Sequence, residues 1–173
     1  TVNEYGADSM RLYEMFMGPL DKAKPWNTKG LQGCSRFINK LWATVVSPDG
    51  TLSTKISNDK PNKETLQLIN QMINRVTDNL DQLHFNTCVS EFMVFTNHLQ
   101  SLKTISHDVL KTFVKILNPF IPHISEELWS IMGESSELSY ISWPTYNPDL
   151  IKSDKLKIPV QVNGKRRSEI LVN

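Results

Sequence analysis

Four histidines, two cysteines and a scatter of lysines and arginines are the residues with chemistry to offer in this 173-residue chain. His84, His98, His107 and His123 fall in or beside separate predicted helices, with no spacing that would gather them on a metal. Cys34 and Cys88 lie on apolar stripes of different predicted helices, and neither has a Cys or His at ligand distance. They read as buried thiols of a reducing compartment. There is no Walker loop, no Gly-rich dinucleotide turn and no Ser-His-Asp set. The expectation is a chain with no catalytic residue, no metal and no cofactor of its own.

What remains is positive charge. The net charge of +1 is not the footprint of a nucleic-acid binder, so any RNA contact must come from a local concentration. Lys29, Arg36 and Lys40 provide one. At 100° per residue they fall within about 40° of each other, opposite an apolar stripe, with Gly33 between them. Lys22, Lys24 and Trp26 lead into that strip, and Lys165, Arg166 and Arg167 form a second cluster near the C-terminus. On residue types alone a solvated polar face is the simpler reading of such a run. Three cations with no acid on the same face point toward a surface that tracks phosphates.

The elements that would position these residues are mostly helices. Apolar content of 39% with modest charge indicates a folded domain, and no apolar run approaches the ~20 residues that span a bilayer. After a lead-in over 1–6, Asp8 suits the first turn of a helix ending before Gly18-Pro19, where Arg11 and Glu14 can pair on the surface. Asn27 or Thr28 caps a helix reaching about Val46, with Leu31, Cys34, Ile38, Leu41 and Val45 in three-four alternation. Residues 47–62 read as a long polar loop. Further helices follow over about 63–82, from a cap at Asn86, and from a cap at Ser106. Their inward residues are Leu66, Ile69, Ile73, Val76 and Leu80, then Cys88, Phe92, Phe95, Leu99 and Leu102, then Leu110, Phe113, Val114 and Leu117.

Pro119 disfavours helix at Asn118, and Pro122 fits the first turn of a new helix that Gly133 closes with a left-handed cap. Phe120 and Ile121 would be buried at this corner, with Glu126 and Glu127 near the positive end of the new helix and His123 satisfied locally. Residues 134–154 are irregular, with aromatics lying back across the bundle. From Lys157 the period changes to two, and Asn163-Gly164 signals a type I′ hairpin. Pro159 puts that strand at an edge or at its own start. The fold class is therefore mainly α: an antiparallel bundle of five to six helices followed by a short β-hairpin. The chain opens at Thr1 rather than Met and stops just after a strand pattern, which reads as a piece of a larger protein.

The string Pro119-Phe120-Ile121-Pro122-His123-Ile124-Ser125-Glu126-Glu127-Leu128-Trp129 resembles the last-helix signature in the anticodon-binding bundle of class I aminoacyl-tRNA synthetases for leucine, isoleucine, valine and methionine. Pro119, Phe120, Pro122, His123, Glu126, Glu127 and Trp129 carry it. Tyr5-Gly6-Ala7-Asp8-Ser9-Met10-Arg11-Leu12 followed by Met15-Phe16-Met17-Gly18-Pro19 is similar to the leucyl enzymes at the handover from catalytic domain to bundle. Ser142-Trp143-Pro144 resembles the segment after the signature helix. Pro159-Val160-Gln161-Val162-Asn163-Gly164-Lys165 resembles the start of the C-terminal domain of bacterial-type leucyl enzymes.

The resemblance implies three units: 1–6 as linker from a catalytic domain, 7–153 as the tRNA-binding bundle, and 154–173 as the start of a C-terminal α/β domain. It implies a cytoplasmic, monomeric parent enzyme, an ATP-dependent leucine–tRNA ligase. ATP and Mg would be held in its catalytic domain, and catalytic and editing domains would lie on the same chain. The chain read here would hold leucine tRNA by backbone and shape. Two alternatives remain at this stage: the same bundle from a valyl, isoleucyl or methionyl enzyme, and a helical protein-interaction module whose basic strip meets an acidic partner. Among class I features, no ATP-binding motif of the His-x-Gly-His or Lys-Met-Ser-Lys-Ser type occurs here.

Overall fold

The computed structural model describes residues 2–151 with their side chains, and 156–162 and 165–172 as backbone. Its order is α1 (Val2–Tyr5), α2 (Ala7–Phe16), α3 (Thr28–Val45), β1 (Ile56–Ser57), α4 (Lys63–Asp81), α5 (Phe85–Ser101), β2 (Ile105–Ser106), α6 (His107–Leu117), α7 (Pro122–Ile131), a 3-10 turn (Leu138–Tyr140), α8 (Pro148–Ile151), β3 (Leu156–Val162) and β4 (Lys165–Val172). The expected mainly helical bundle is what forms, with α2 to α7 as its six principal helices.

The stripes read from spacing form the core, except at their ends, where Leu66, Leu80 and Leu102 are only half-buried. Leu31, Cys34, Ile38, Leu41 and Val45 of α3 are all buried, as are Ile69, Ile73 and Val76 of α4 and Cys88, Phe92, Phe95 and Leu99 of α5. α4 packs along α5, α2 crosses both α3 and α5, and α6 packs on α7. The centre is aromatic. Phe120 meets Phe92 edge-to-face at 4.8 Å and Phe85 at 6.2 Å, while Phe113 joins Phe92 and Phe95. Such pairs add about 0.5–1.5 kcal/mol each beyond their burial.

The proline corner ends one helix and starts the next as its sequence demands, but Asn118 departs from expectation: it keeps helical backbone, φ −54° and ψ −42°, because its N–H still donates to Val114 O. α6 ends at Leu117 with Asn118 as its cap, and Pro122 opens α7. Phe120 and Ile121 are buried between them. α2 fastens this corner from 115 residues away. Both Asp8 carboxylate oxygens accept main-chain N–H groups at the start of α7, Oδ1 from His123 at 3.4 Å and Oδ2 from Ile124 at 2.7 Å. His123 Nδ1 lies 2.8 Å from Asp8 Oδ1. Arg11 donates to the carbonyl of Pro119 at 3.0 Å. This corrects two expectations. His123 is satisfied by a distant carboxylate rather than locally, and Arg11 reaches the corner rather than Glu14. Asp8 sits in the first turn of α2 but serves α7, whose opening N–H groups have no other partner within their own helix.

Glu126 also departs from its expected role. It lies past the first turn of α7 and accepts from the main-chain N–H groups of Leu138 and Ser139, both at 3.1 Å, which pins the 3-10 turn. The buried side of α7 is Ser125, Leu128 and Trp129, continued by Met132, with Ile124 and Ile131 only partly covered. Gly133 at φ +86° closes α7, with Glu134 N–H donating to Trp129 O and Gly133 N–H to Ser130 O. α4 ends the same way at Leu83, φ +58°, with His84 N–H donating to Asn79 O and Leu83 N–H to Leu80 O. Consequently α5 starts at Phe85, and Asn86 is inside its first turn rather than capping it. Ser106 holds the flanking position before α6, but its hydroxyl makes no cap bond.

Residues 47–62 are not a structureless loop. Val46 bridges Leu52, and β1 pairs in parallel with β2 through Ile56–Ile105 and Ser57–Ser106. Ile105 is fully buried, and Leu52 and Ile56 pack against the core, so the loop carries its own apolar anchors. Residues 2–5 of the expected lead-in form one helical turn. In the trailing segment Trp143 lies back as expected, its indole N–H donating to Thr77 Oγ1 at 2.9 Å, whereas Tyr140 is exposed. β3 and β4 form the expected antiparallel hairpin, with Pro159 opposite Glu169 and an irregularity between Val160 and Gln161. The Asn163-Gly164 turn lies outside the described residues.

Candidate nucleic-acid interface

The start of α3 is built by three contacts. The side chain of Asn27 accepts from Lys29 N–H at 2.9 Å, capping the helix. The N–H of Asn27 donates to the hydroxyl of Tyr13 at 2.8 Å, which ties the cap to α2. Trp26 stands edge-on to the Tyr13 ring at 4.9 Å. Trp26 is 49% exposed, so its indole rests on Tyr13 and stays half open to solvent. The aliphatic part of Lys24 lies over Gly18. Lys22, Lys24 and Lys29 are all exposed.

Along α3, Lys29, Arg36 and Lys40 are exposed on the side away from the buried stripe. At 1.5 Å rise per residue, Lys29 and Arg36 stand about 10 Å apart along the axis, and Lys40 one turn further. Lys40 Nζ donates to Asn97 Oδ1 of α5 at 2.5 Å. Among the described residues Lys29 and Arg36 make no side-chain hydrogen bond or ion pair. Two other cations of the bundle are paired with carboxylates. Arg75 pairs with Glu91 at 3.3 Å, and Lys111 pairs with Glu134 at 2.6 Å while stacking over the Trp129 ring. That Lys111 contact holds the Glu134 carboxyl below the usual carboxylate range. The strip is therefore a run of cations whose charge has no protein carboxylate to answer it among the described residues.

The structure sets Trp26 and Lys29 at the N-terminal end of α3 and Arg36 and Lys40 along the same helix, while Lys22 and Lys24 stay exposed in the connection before it, Lys24 against Gly18. Lys165, Arg166 and Arg167 open β4, and their side chains lie outside the described residues. Sequence reasoning missed Asn97 and Met93, which α5 contributes beside Arg36 and Lys40. Nothing in their local pattern marks them, because only the packing of α3 on α5 places them there.

The histidines are scattered. His98 meets Thr65 at 2.8 Å, His107 meets Met132 O at 3.2 Å, His123 meets Asp8, and His84 flanks α5. Among the described residues no group of three or more His, Cys, Asp or Glu is placed to hold a metal, and no helix is long and apolar enough to cross a membrane.

A family model described as the anticodon-binding domain of tRNA ligase matches residues 62–173, which include the proline corner and the signature helix. Among solved structures the chain is similar to the LeuRS of Agrobacterium radiobacter in a LeuRS–tRNA–LeuAMS ternary complex, with a TM-score of 0.73 and 27% identity over 99% of this chain. The chain spans 24% of that protein's length. That likeness extends over the basic strip, which precedes the family match. The corner motif, the six-helix bundle around it and the family match together place this chain in the anticodon-binding domain family of tRNA ligases.

Proposed function

We propose that this chain is the tRNA-binding part of a leucine–tRNA ligase, and that it grips leucine tRNA by its backbone along the Lys29–Arg36–Lys40 edge. The observation that carries the reading is the likeness, over 99% of the chain, to a LeuRS found in complex with tRNA. The mechanism is positional. Lys22, Lys24, Lys29, Arg36 and Lys40 supply phosphate contacts that fix register and orientation but carry little sequence information. Trp26 offers a half-open indole face on which a ribose or an unpaired base can stack. The buried stripe of α3 and the Tyr13–Asn27 tie hold these groups on a rigid rod. The chemistry, leucine activation with ATP and Mg and transfer to tRNA, belongs to the catalytic part of the same polypeptide. The parent enzyme works as a monomer in the cytoplasm.

The test is a salt titration of the chain against leucine tRNA, an unrelated tRNA and duplex DNA, with Arg36→Glu/Lys40→Glu alongside. Tight RNA contact gives affinity that falls steeply with salt, with a slope of about 0.7–0.9 per phosphate neutralised. The double reversal is expected to weaken tRNA binding at least tenfold and flatten that slope. In the whole ligase it is expected to raise KM for tRNA with little change in leucine activation. Binding that is absent, or equal for duplex DNA and tRNA, overturns the proposal.

A further inference from the structure

Between α3 and α5 the strip opens into a shallow groove of about 240 Å³ lined by Gly33, Arg36, Phe37, Lys40, Met93 and Asn97. Gly33 lies inside α3 with ordinary helical backbone, so no positive φ requires glycine there. Packing does not require it either. A Cβ at this position would meet nothing nearer than Arg36 Nη2 at 3.9 Å. A glycine in a helix interior is less stable than an alanine. What it provides is space, since the groove floor drops to the helix backbone where any side chain would fill it.

The groove has two kinds of lining. Phe37, buried, and Met93, half-buried, make an apolar floor. Arg36 and Lys40, one turn apart on the same face, stand beside it at the 5–6 Å spacing of i and i+4 neighbours. Lys40 is held in place by the Asn97 carbonyl. A neutral amide orients the ammonium without cancelling its charge, unlike Glu91 on Arg75 or Glu134 on Lys111.

We propose that this groove seats one sugar–phosphate unit of the tRNA backbone, the ribose on Phe37 and Met93 and the phosphates on either side of it at Arg36 and Lys40. An apolar floor flanked by two uncancelled cations matches the alternation of ribose and phosphate along a strand. The inference rests on the tRNA-binding reading above and adds Gly33, Met93 and Asn97 to it. Gly33 acts by leaving room, and Asn97 is a positioning residue that acts through Lys40.

The experiment compares tRNA binding by the 173-residue chain with Gly33→Leu, Asn97→Asp and Arg36→Glu/Lys40→Glu, each checked by thermal melting. Gly33→Leu fills the seat and leaves every charge in place. It is expected to weaken tRNA binding at least fivefold with Tm unchanged or raised. Asn97→Asp, on an exposed position, pairs Lys40 with a carboxylate. It is expected to weaken binding severalfold and to lower the salt slope by about one phosphate. If both variants bind tRNA within twofold of wild type while the double reversal does not, the seat is wrong and the tRNA reading stands. If the double reversal also binds normally, the strip itself is wrong. Polyglutamate binding that is lost in Gly33→Leu while tRNA binding survives would mean an acidic protein segment occupies the groove, which also overturns the proposal.

Discussion

Asp8, in the first turn of α2, caps the first turn of α7 through the main-chain N–H groups of His123 and Ile124. Two stretches of sequence that carry the family signature separately are therefore one structural unit. The proline corner dictates where α7 begins, but the orphan N–H groups of that beginning need an acceptor. The helix has Ile121 at its N-cap, with no side chain able to accept. Asp8 is 6% exposed, so its carboxylate is committed to this task.

Asp8→Ala should therefore cost about 2 kcal/mol, a lost cap plus two poorly satisfied N–H groups. His123→Ala should cost less, about 0.2–1 kcal/mol, because the ring is 73% exposed and its contact with Asp8 is solvent-screened. Urea unfolding measures both, and hydrogen exchange at Ile124 reports the cap directly. Equal losses in the two variants would mean that the imidazole contact, not the capping, is the main term.

The helices were legible because each buries a stripe at three-four spacing, and every residue of the α3 stripe read from that spacing is buried. The corner was legible because proline acts locally on its own backbone. What was not legible is tertiary. Asp8 looked like a residue for its own helix, since sequence shows no sign of a partner 115 positions on. The two-residue β1–β2 pairing is too short to show a period. In the interface, the cations of α3 were visible as a strip, while Asn97 and Met93 were not, because α5 shows a uniform amphipathic pattern whichever neighbour it meets.

Leu83 and Gly133 occupy equivalent positions, each left-handed with the same pair of closing hydrogen bonds. Sequence reasoning found only the glycine. Gly133 has open space around a Cβ, so its replacement is penalised by conformation alone. Gly133→Leu should cost about 1 kcal/mol, and Leu83→Gly should gain about 0.5 kcal/mol, since Leu83 is exposed and its left-handed strain outweighs the added chain entropy. Thermal melts of the two variants shifting in the same direction would contradict this account.

Gly30 and Gly33 are a turn apart on α3 but have opposite surroundings. A Cβ on Gly30 would sit 2.6 Å from Tyr13 Cε2. That ring cannot move aside cheaply, because Asn27 and Trp26 hold it. Gly30→Ala should cost about 1–3 kcal/mol through overpacking, despite the helix propensity it gains. Gly33→Ala meets open space and should gain about 0.5–1 kcal/mol. Chemical denaturation of both variants checks the pair, and a stabilising Gly30→Ala would show that α2 and α3 slide apart at no cost.

Cys34 and Cys88 have no exposed surface, and burial pushes both thiols up to about 11. For Cys88 the nearby Glu91 charge adds to the effect. The fold thus favours the protonated form, while the unfolded chain titrates near the ordinary thiol value of 9.0. The sign follows from linkage: a raised folded pKa contributes stability that is complete below about 9 and is lost as pH rises toward about 11. Wild type should therefore lose more of its urea midpoint over that alkaline interval than Cys34→Ala/Cys88→Ala, whose remaining lysines and tyrosines are the same. At neutral pH both thiols should resist a disulfide reagent in the native state and react on unfolding. A thiol that reacts at once in the folded chain, or parallel alkaline losses in the two proteins, would show that the interior around α3 and α5 admits water.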